Sequence, residues 1–383
     1  MNKKEVAEIK RLFHPDRTPV TRVCGCYVDG EKNKKTKLKE AFLSLPEEEM
    51  FKYFDIFRKT LSGTIGRNLL DMEFPLTQEA GGGSQEYLMK LKNSQLKDDE
   101  LLDEFYDKVI ETFLYPENYY IVLIHCAYDI PKKATDGMEM FDASDDVYEF
   151  LLCSICPVKL TKPGLCYNED TNSIEQRIRD WFVEPPVTGF LFPAFTDRNT
   201  DIHSILYYSK NPDELNADFA RLLLGCELPL SAASQKETFN ALVSETLQGE
   251  CTYETVKTIH ETLNGLLEER RDDPEPVALD KNDVKRLLSE NGASEETLEH
   301  FDEEFEQVGG GSQTALYVSN VVNTRRFEIR TPDITIQVKP DRADLIETRI
   351  IDGRPYFVIP ADDSVEVNGI PVCTARPAQA DPE

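Results

Sequence analysis

Three apolar runs between residues 118 and 199 constrain the fold of this chain more than any other feature. They are Tyr119–Ala127 (YYIVLIHCA), Val147–Leu160 (VYEFLLCSICPVKL) and Val187–Phe195 (VTGFLFPAF). Each run is short, rich in β-branched and aromatic residues, and closed by Asp, Pro, Gly or Asn. This pattern is typical of strands that are buried on both faces of a sheet. It predicts a central sheet flanked by helices, in a mixed α/β or α+β fold.

The segments around this sheet predict five regions. Residues 1–80 form an N-terminal α/β segment that packs on the main body, and residues 86–230 form the central α/β domain. Residues 231–308 have helical spacing and form a helical segment. Residues 314–373 form a small C-terminal antiparallel β module, and residues 374–383 a disordered tail.

Three local predictions accompany this division. Asp352-Gly353 and Asn368-Gly369 each separate two short strands, as a type I′ hairpin turn requires. The stretch Lys37–Ser44 is predicted to be helical. The sequence GGGSQ occurs at Gly81–Gln85 and at Gly309–Gln313, and it predicts a flexible connection at both places. Whether these two copies are native or engineered stays open.

Composition limits the partners and the compartment. The chain has 383 residues and a net charge of −28, which repels nucleic acid and anionic membranes. No run approaches the length of about 18 apolar residues that a membrane helix needs, and the N-terminus lacks the apolar core of a secretory signal. We therefore expect a cytoplasmic protein of two or three domains with no membrane contact.

The cysteines and aromatic residues are expected to pack in the core. Cys24 and Cys26 form a CxC, and Cys153 and Cys156 form a CxxC, but the two pairs lie far apart and within apolar runs. A strand would also direct Cys153 and Cys156 to opposite faces. We expect no metal and no cofactor, although metal binding by these thiols stays open. Trp181, beside Phe182, is expected to be a core anchor.

A basic cluster interrupts the acidic sequence near the N-terminus. Residues 1–39 contain eleven Lys or Arg and five Asp or Glu, a local charge of +6. The cluster consists of Lys32, Lys34, Lys35, Lys37 and Lys39. Charge runs are usually solvent-facing, so the simplest interpretation is a solvated loop and first helical turn. The alternative is contact with an acidic partner or with RNA.

Polar residues follow two of the apolar runs. The candidate site residues are His125, Asp129, Asp197, Arg198 and Asp201. In open α/β sheets, ligands bind beyond the carboxyl ends of the strands, and these residue types can supply a general base, an ion site and an anion clamp. The alternative is a half-buried histidine and a turn in which Asp197 caps backbone amides.

Four segments resemble a known family. They are Val23–Leu45, Glu48–Ser62, Val187–Arg198 and Val365–Ile370. Together they resemble bacterial proteins, common in gut clostridia, that are catalogued as a domain of unknown function, number 4317. The resemblance covers nearly the whole chain and implies a bacterial, cytoplasmic protein. It assigns no catalytic or binding residue.

The leading hypothesis is a non-catalytic interaction or regulatory protein. No complete catalytic motif is present, and the acidic helices favour a protein partner, in particular a basic or ribosomal one. One alternative is a hydrolase or nuclease-like enzyme that uses the polar residues after the apolar runs. Another is an RNA- or ribosome-associated protein that makes contact through the lysine cluster.

Overall fold

The computed structural model describes most of the chain. The described residues are 1–16, 18–79, 81–133, 139–140, 146–247, 249, 251–309, 315–361 and 365–372. The predicted tail and residues 310–313 of the second GGGSQ copy lie outside them. The chain forms two compact units, residues 1–237 with 272–276, and residues 238–271 with 277–383.

The first unit contains the helices and strands around the apolar runs. Its helices are α1 (Lys3–Arg11), α2 (Glu47–Thr60), α3 (Leu76–Glu79), α4 (Ser84–Asn93) and α5 (Asp99–Thr112), with a 3₁₀ helix at Phe42–Ser44 and a π-helix at Phe219–Leu224. Its strands are β1 (Val20–Val28), β2 (Lys34–Ala41), β3 (Leu69–Glu73), β4 (Tyr119–Asp129), β5 (Lys132–Lys133), β6 (Glu139–Met140), β7 (Val147–Leu160), β8 (Leu165–Asn168), β9 (Ser173–Gln176), β10 (Trp181–Val183), β11 (Thr188–Phe192), β12 (Ala194–Thr196), β13 (Asn199–Asp201) and β14 (Ser204–Ser209). Helix α6 (Ala232–Leu247) contains the division between the units.

A large antiparallel sheet organises this unit, in the order β2-β1-β4-β7-β11-β14-β3, with β10 paired to the end of β7. The three apolar runs supply β4, β7 and β11 at its centre. The longest ladder runs from the Tyr119–Pro157 pair to the Asp129–Val147 pair. The predicted mixed α and β fold with a central sheet is therefore confirmed.

Both faces of the sheet are covered by helices, because almost every side chain of its central strands is apolar. On one face, called the α5 face, Leu88 of α4, Phe105 of α5 and Phe219 of the π-helix lie in one apolar cluster. On the other, called the α2 face, Ile9 of α1 and Phe57 of α2 lie in a second cluster. Removing this apolar surface from water is the main force that holds the layers together.

Helix α2 lies very close to the sheet at Gly189. A Cβ at this position would lie 2.2 Å from the carbonyl oxygen of Cys153 and 2.8 Å from Cγ2 of Thr60. The glycine brings Thr60 within hydrogen-bond distance of Ser154, with 2.7 Å between the two hydroxyl oxygens. This contact satisfies two polar groups inside an apolar layer, where an unpaired hydroxyl would destabilise the fold.

Two local predictions are wrong. The stretch Lys37–Ser44 is strand β2 followed by a 3₁₀ turn, because residues 34–41 pair with β1 and this tertiary pairing overrides the helix propensity of Lys, Leu and Glu. The first GGGSQ copy is not a flexible linker, since helix α4 begins at Ser84. A Cβ at Gly83 would lie 2.1 Å from the carbonyl oxygen of Gln78, so the glycine forms a packed corner.

The second unit combines helices with short hairpins. Its further helices are α7 (Tyr253–Glu269), α8 (Lys281–Glu290), α9 (Glu295–Gly309) and α10 (Val318–Val321), with a 3₁₀ helix at Pro340–Leu345. Its strands are β15 (Ala278–Leu279), β16 (Leu316–Tyr317), β17 (Phe327–Arg330), β18 (Thr335–Val338), β19 (Glu347–Ile351), β20 (Arg354–Val358), β21 (Val365–Val367) and β22 (Ile370–Val372). These strands pair two by two: β15 pairs with β16 across α8 and α9, and β17–β18, β19–β20 and β21–β22 are three separate antiparallel hairpins.

The two predicted type I′ turns are confirmed. Asp352 and Gly353 have φ values of 50° and 76°, and Asn368 and Gly369 have 53° and 79°. Each pair connects adjacent antiparallel strands, β19 to β20 and β21 to β22. Both positions of this turn need positive φ, which Asn, Asp and Gly adopt at the lowest cost.

Candidate interaction surface

His125 lies on β4, and its side chain is completely buried. Its Nδ1 atom is 2.7 Å from the hydroxyl of Thr21. Within the described residues its Nε2 atom has no hydrogen-bond partner. Burial lowers the pKa of His125, and Lys92 and Arg22 lower it further against the opposing charge of Glu149. The ring is therefore neutral and enclosed.

Asp197 and Arg198 form the two-residue turn between β12 and β13, with φ values of 52° and 56°. The backbone N–H of Asp197 donates to the Glu5 carboxylate at 2.7 Å. Arg198 donates to Glu8 at 3.1 Å and to the carbonyl oxygen of Pro131 at 3.3 Å. Glu5 and Glu8 of α1 therefore bind this turn. Glu8 also neutralises Arg198, the residue predicted to bind an anion.

The remaining two candidates lie at the same end of the sheet. Asp129 is exposed at the end of β4, two residues before the Pro131 carbonyl that Arg198 contacts. Asp201 is half-buried and accepts a hydrogen bond from the backbone N–H of His203 at 3.0 Å. Across the described ranges, no hydrogen bond or ion pair joins any two of the five candidate residues. The catalytic role stays a prediction.

This arrangement follows from the antiparallel sheet. The rule that ligands bind beyond the carboxyl ends of strands belongs to open, largely parallel sheets. In this sheet adjacent strands run in opposite directions, so the carboxyl ends of neighbouring strands lie at opposite ends of the sheet. β4 and β11 run the same way but are separated by β7, and helix α1 fills the place where a crevice was expected.

The basic cluster forms a ladder of ion pairs with helix α5. Its partners Asp99, Asp103 and Asp107 repeat every four residues and lie on one face of the helix. The pairs are Lys34 with Asp107 at 2.6 Å, Lys37 with Asp103 at 2.5 Å and Lys39 with Asp99. Strand β2 carries these lysines, and the pairs hold α5 against this edge strand.

The two other lysines of the cluster lie near the turn after β1. Lys35 is 2.8 Å from Asp29, and its ammonium lowers the pKa of that carboxyl to about 2. Lys32 is exposed and has a φ of 65°. Four of the five lysines are thus paired with carboxylates, and any RNA phosphate would compete with those carboxylates for the positive charge.

The cysteine pairs of the sequence lie in the core. Cys24 and Cys26 share the α5 face, where burial raises the thiol pKa values to about 12 and about 11. Cys153 and Cys156 are three residues apart on β7 and therefore point to opposite faces. Within the described ranges, no group of three or more His, Cys, Asp or Glu side chains is placed to hold a metal ion.

An apolar surface lies outside the core on residues 161–184, here called the arm. The arm contains the β8–β9 hairpin and strand β10, which pairs with the end of β7. Six of its large apolar side chains are between 56% and 82% exposed. They are Leu165, Tyr167, Ile174, Ile178, Trp181 and Phe182.

The β8–β9 hairpin of the arm is amphipathic. Tyr167 lies directly opposite Ile174, and Leu165 opposite Gln176, so these four side chains share one face. On the other face the Glu175 carboxylate accepts from the hydroxyls of Thr171 and Ser173. One face is thus polar and internally hydrogen-bonded, and the other is apolar and exposed.

The expectation that Trp181 and Phe182 are core anchors is wrong, because each is 57% exposed. They lie on a three-residue strand at the margin of the sheet, with no helix of the apolar clusters over them. The alternation in LCYN and SIEQ on either side of a short polar turn was the available sequence signal for the β8–β9 hairpin.

A cavity of about 390 Å³ lies at the base of the arm. Trp181 and Leu160 line one side of it, and Pro116, Glu117 and Asn118 line another. A separate groove of about 740 Å³ lies on the α5 face, lined by aromatic residues that include Phe113, Tyr115 and Tyr207. Only the first cavity adjoins the exposed apolar arm.

Comparison with known proteins identifies the family. The family model described as Domain of unknown function matches residues 1–370. The chain belongs to the DUF4317 family. No curated protein matches the chain.

The DUF4317 match includes every surface described above. It contains the lysine ladder, the polar turn at residues 197–198, the arm and the cavity beside Trp181. No helix in the described part of this DUF4317 chain is both long and apolar enough to cross a membrane.

Proposed function

We propose that this DUF4317 chain is a non-catalytic interaction protein that binds a protein partner through the apolar face of the arm. The observation that supports this proposal is the exposure of six large apolar side chains within residues 165–182, three of which, Leu165, Tyr167 and Ile174, share one face of the β8–β9 hairpin. Contiguous exposed apolar patches are uncommon on monomeric proteins and usually mark interaction sites. Tyr, Trp and Phe, which occur here together, are enriched in protein interfaces.

The energetics favour a partner over solvent. Fully burying a large apolar side chain contributes about 1.5–3 kcal/mol. Tyr167 and Ile174 already form a cross-strand pair in the free protein. Binding therefore loses less side-chain conformational entropy than it would on a disordered surface. The hairpin alone would be only marginally stable in water, and a covering partner would stabilise it.

The charge of the chain favours a basic protein as the partner. A net charge of −28 repels anionic lipid surfaces and nucleic acid, and it attracts a positively charged protein surface. The lysine ladder does not offset this preference locally, because its cations are paired with Asp99, Asp103 and Asp107. A basic or ribosomal protein fits these charges.

A pull-down with matched variants tests the proposal. The bait is the full chain, immobilised at low salt in a lysate of the organism that encodes it, with quantitative mass spectrometry as the readout. The arm variant is Tyr167→Ser, Ile174→Ser and Ile178→Ser. The control variant is Ile334→Ser, Ile350→Ser and Ile370→Ser, which removes equally exposed apolar side chains from the second unit.

We expect proteins that the wild type and the control variant enrich and the arm variant loses, and these proteins should be basic. If no enriched protein depends on the arm side chains, the arm is not the binding surface. Sedimentation of the bait alone is measured in parallel. An arm-dependent dimer would show that the apolar face is covered by a second copy and would replace the proposed partner.

A further inference from the structure

The end of strand β7 has main-chain groups that no neighbouring strand uses. Thr161 N–H donates to the Asp180 carbonyl at 2.9 Å, and Glu184 N–H donates to the Pro157 carbonyl at 2.8 Å. In an antiparallel ladder with this register, the N–H and C=O groups of Leu160 point away from β10. They point to the side on which β4 pairs with the earlier part of β7.

Strand β4 does not extend far enough to meet Leu160. Its ladder with β7 ends at the Tyr119–Pro157 pair, with one further bond from Val158 N–H to the Asn118 carbonyl at 2.8 Å. Continuing this register would place Pro116 opposite Leu160, and proline has no N–H to donate. In the described chain, neither main-chain group of Leu160 has a hydrogen-bond partner.

These free groups are at the cavity at the base of the arm. Leu160, Pro116 and Trp181 all line it, and Leu160 and Trp181 are paired residues whose side chains share one face. An unpaired strand edge that adjoins a cavity and an exposed indole presents both parts of a strand-binding site. The main chain supplies the hydrogen bonds and the indole supplies the apolar contact.

The charges at the cavity favour a cationic segment. The ammonium of Lys159 is 3.3 Å from the Glu184 carboxylate, so this cation is already paired. Glu117 also lines the cavity; its carboxylate is hydrogen-bonded to Tyr115 and forms no ion pair among the residues described. A positively charged side chain on the incoming segment would meet a carboxylate without an ion-pair partner there, in a chain whose net charge is −28.

We propose that the partner binds by strand addition, with an extended segment of alternating apolar and basic residues pairing with the free edge at Leu160 and covering Trp181. This inference rests on the proposed function and specifies how the partner is held. The segment continues the ladder where Pro116 ends it, and its apolar side chains continue onto the exposed face of the arm.

Trp181 reports on this site directly, because it is the only tryptophan in the chain. The experiment follows its fluorescence in the full chain during titration with three synthetic peptides. The first has four Lys-Val repeats, the second has four Glu-Val repeats, and the third is the first peptide N-methylated at every amide. N-methylation keeps the side chains and removes the donors that strand addition needs.

Two protein variants complete the design. Leu160→Pro removes the free N–H without removing a hydrogen bond of the β7–β10 ladder, and Leu160→Ala removes the side chain but keeps the N–H. We expect saturable binding of the Lys-Val peptide with a change in Trp181 emission. Leu160→Pro and N-methylation should each weaken binding about tenfold or more, Leu160→Ala much less, and the Glu-Val peptide should bind about tenfold more weakly.

Several results would overturn the inference. One is binding that is unchanged by both Leu160→Pro and N-methylation, which would place the peptide on the apolar arm without strand pairing. Others are the absence of an emission change with every peptide, and equal binding of the acidic peptide. A change caused by phosphatidylcholine vesicles alone, or by raising the protein concentration alone, would assign the site to a lipid surface or to a second copy.

The two proposals fail in different ways. If the pull-down finds arm-dependent basic partners but the Lys-Val peptide does not bind, the proposed function stands and strand addition is wrong. If the peptide binds as expected but no cellular protein depends on the arm, the strand site exists and the proposed function is wrong. The N-methylated peptide leaves the protein unaltered, so this comparison does not depend on the folding of any variant.

Discussion

The hydroxyl of Thr21 lies 2.7 Å from Nδ1 of His125 and donates to the carbonyl oxygen of the same residue at 3.1 Å. A hydroxyl has one proton, so Thr21 donates either to this carbonyl or to the ring nitrogen, and the tautomer of the imidazole decides which. Among the described residues Nε2 has no hydrogen-bond partner in its buried position. Burial therefore favours the neutral form of this histidine.

We expect the contribution of His125 to the stability of the chain to fall in mild acid. Burial lowers the pKa of His125 in the folded state, so below about pH 6.5 the unfolded chain binds a proton that the folded chain does not. The free energy of unfolding contributed by this residue should decrease as the pH falls through that value, by up to about 1.4 kcal/mol per pH unit. Urea unfolding at pH 7.5 and pH 5.5 measures it.

The control for this prediction is His125→Asn, which keeps a donor near Thr21 and does not titrate. The difference between wild type and variant isolates His125, because other groups titrate in both proteins. His203 acts in the opposite direction, since Glu79 raises its pKa and its contribution grows as the pH falls. Equal pH dependence in wild type and variant would show that His125 is not held neutral.

Gly83 is required by packing, whereas Gly81, two residues earlier in the same GGGSQ stretch, is not. A Cβ at Gly83 would lie 2.1 Å from a backbone carbonyl oxygen, while the nearest atom to a Cβ at Gly81 is a carboxylate oxygen 4.0 Å away. Gly83→Ala should lower the free energy of unfolding by about 2–3 kcal/mol, and Gly81→Ala should change it by less than about 0.5 kcal/mol. Thermal or urea unfolding distinguishes them. A neutral Gly83→Ala would restore the linker interpretation.

The sequence was sufficient to locate the central strands and the two type I′ turns, because both depend on local pattern. An apolar run as short as Tyr119–Ala127 favours a buried strand, and Asn-Gly dipeptides such as Asn368-Gly369 adopt the positive φ of a type I′ turn at low cost. Strand β2 could not be found in this way. Its lysines and Leu38 have good helix propensity, and only the pairing with β1 makes the segment a strand.

The site predictions depended on a relationship that the sequence does not contain. Asp129 and Arg198 lie at the same end of the sheet, but the carboxylates that bind the turn at Arg198 come from helix α1, near the beginning of the chain. The same holds for the lysine cluster, whose partner carboxylates lie about 60–70 residues later on α5. Ion pairs between residues so far apart in the sequence can be identified only from the three-dimensional structure.

The ladder between β2 and α5 predicts a measurable coupling between Lys37 and Asp103. Lys37→Asp places two carboxylates together and should lower the free energy of unfolding by about 1 kcal/mol or less, because both side chains are about half exposed. The double variant Lys37→Asp, Asp103→Lys should recover most of that loss. Urea unfolding at low salt and again in 1 M NaCl measures the coupling, which should shrink at high salt. A double variant no more stable than Lys37→Asp would mean that the pair contributes nothing.

Replacing Tyr167 and Ile174 by serine should leave the stability of the first unit nearly unchanged. Both side chains are more than half exposed in the arm, so the variant loses a cross-strand contact worth about 0.2–1 kcal/mol and no core packing. Phe190→Ser is the contrasting change, because Phe190 is completely buried on β11, and it should cost about 3–5 kcal/mol. Urea unfolding compares the free energies of unfolding of the two variants. Binding of an apolar dye should fall in the double serine variant, which stays folded, and not in Phe190→Ser.

If the serine pair destabilised the unit as much as Phe190→Ser does, the arm face would be part of the core. It would then not be available to a partner, and the proposed interaction surface would lose its basis.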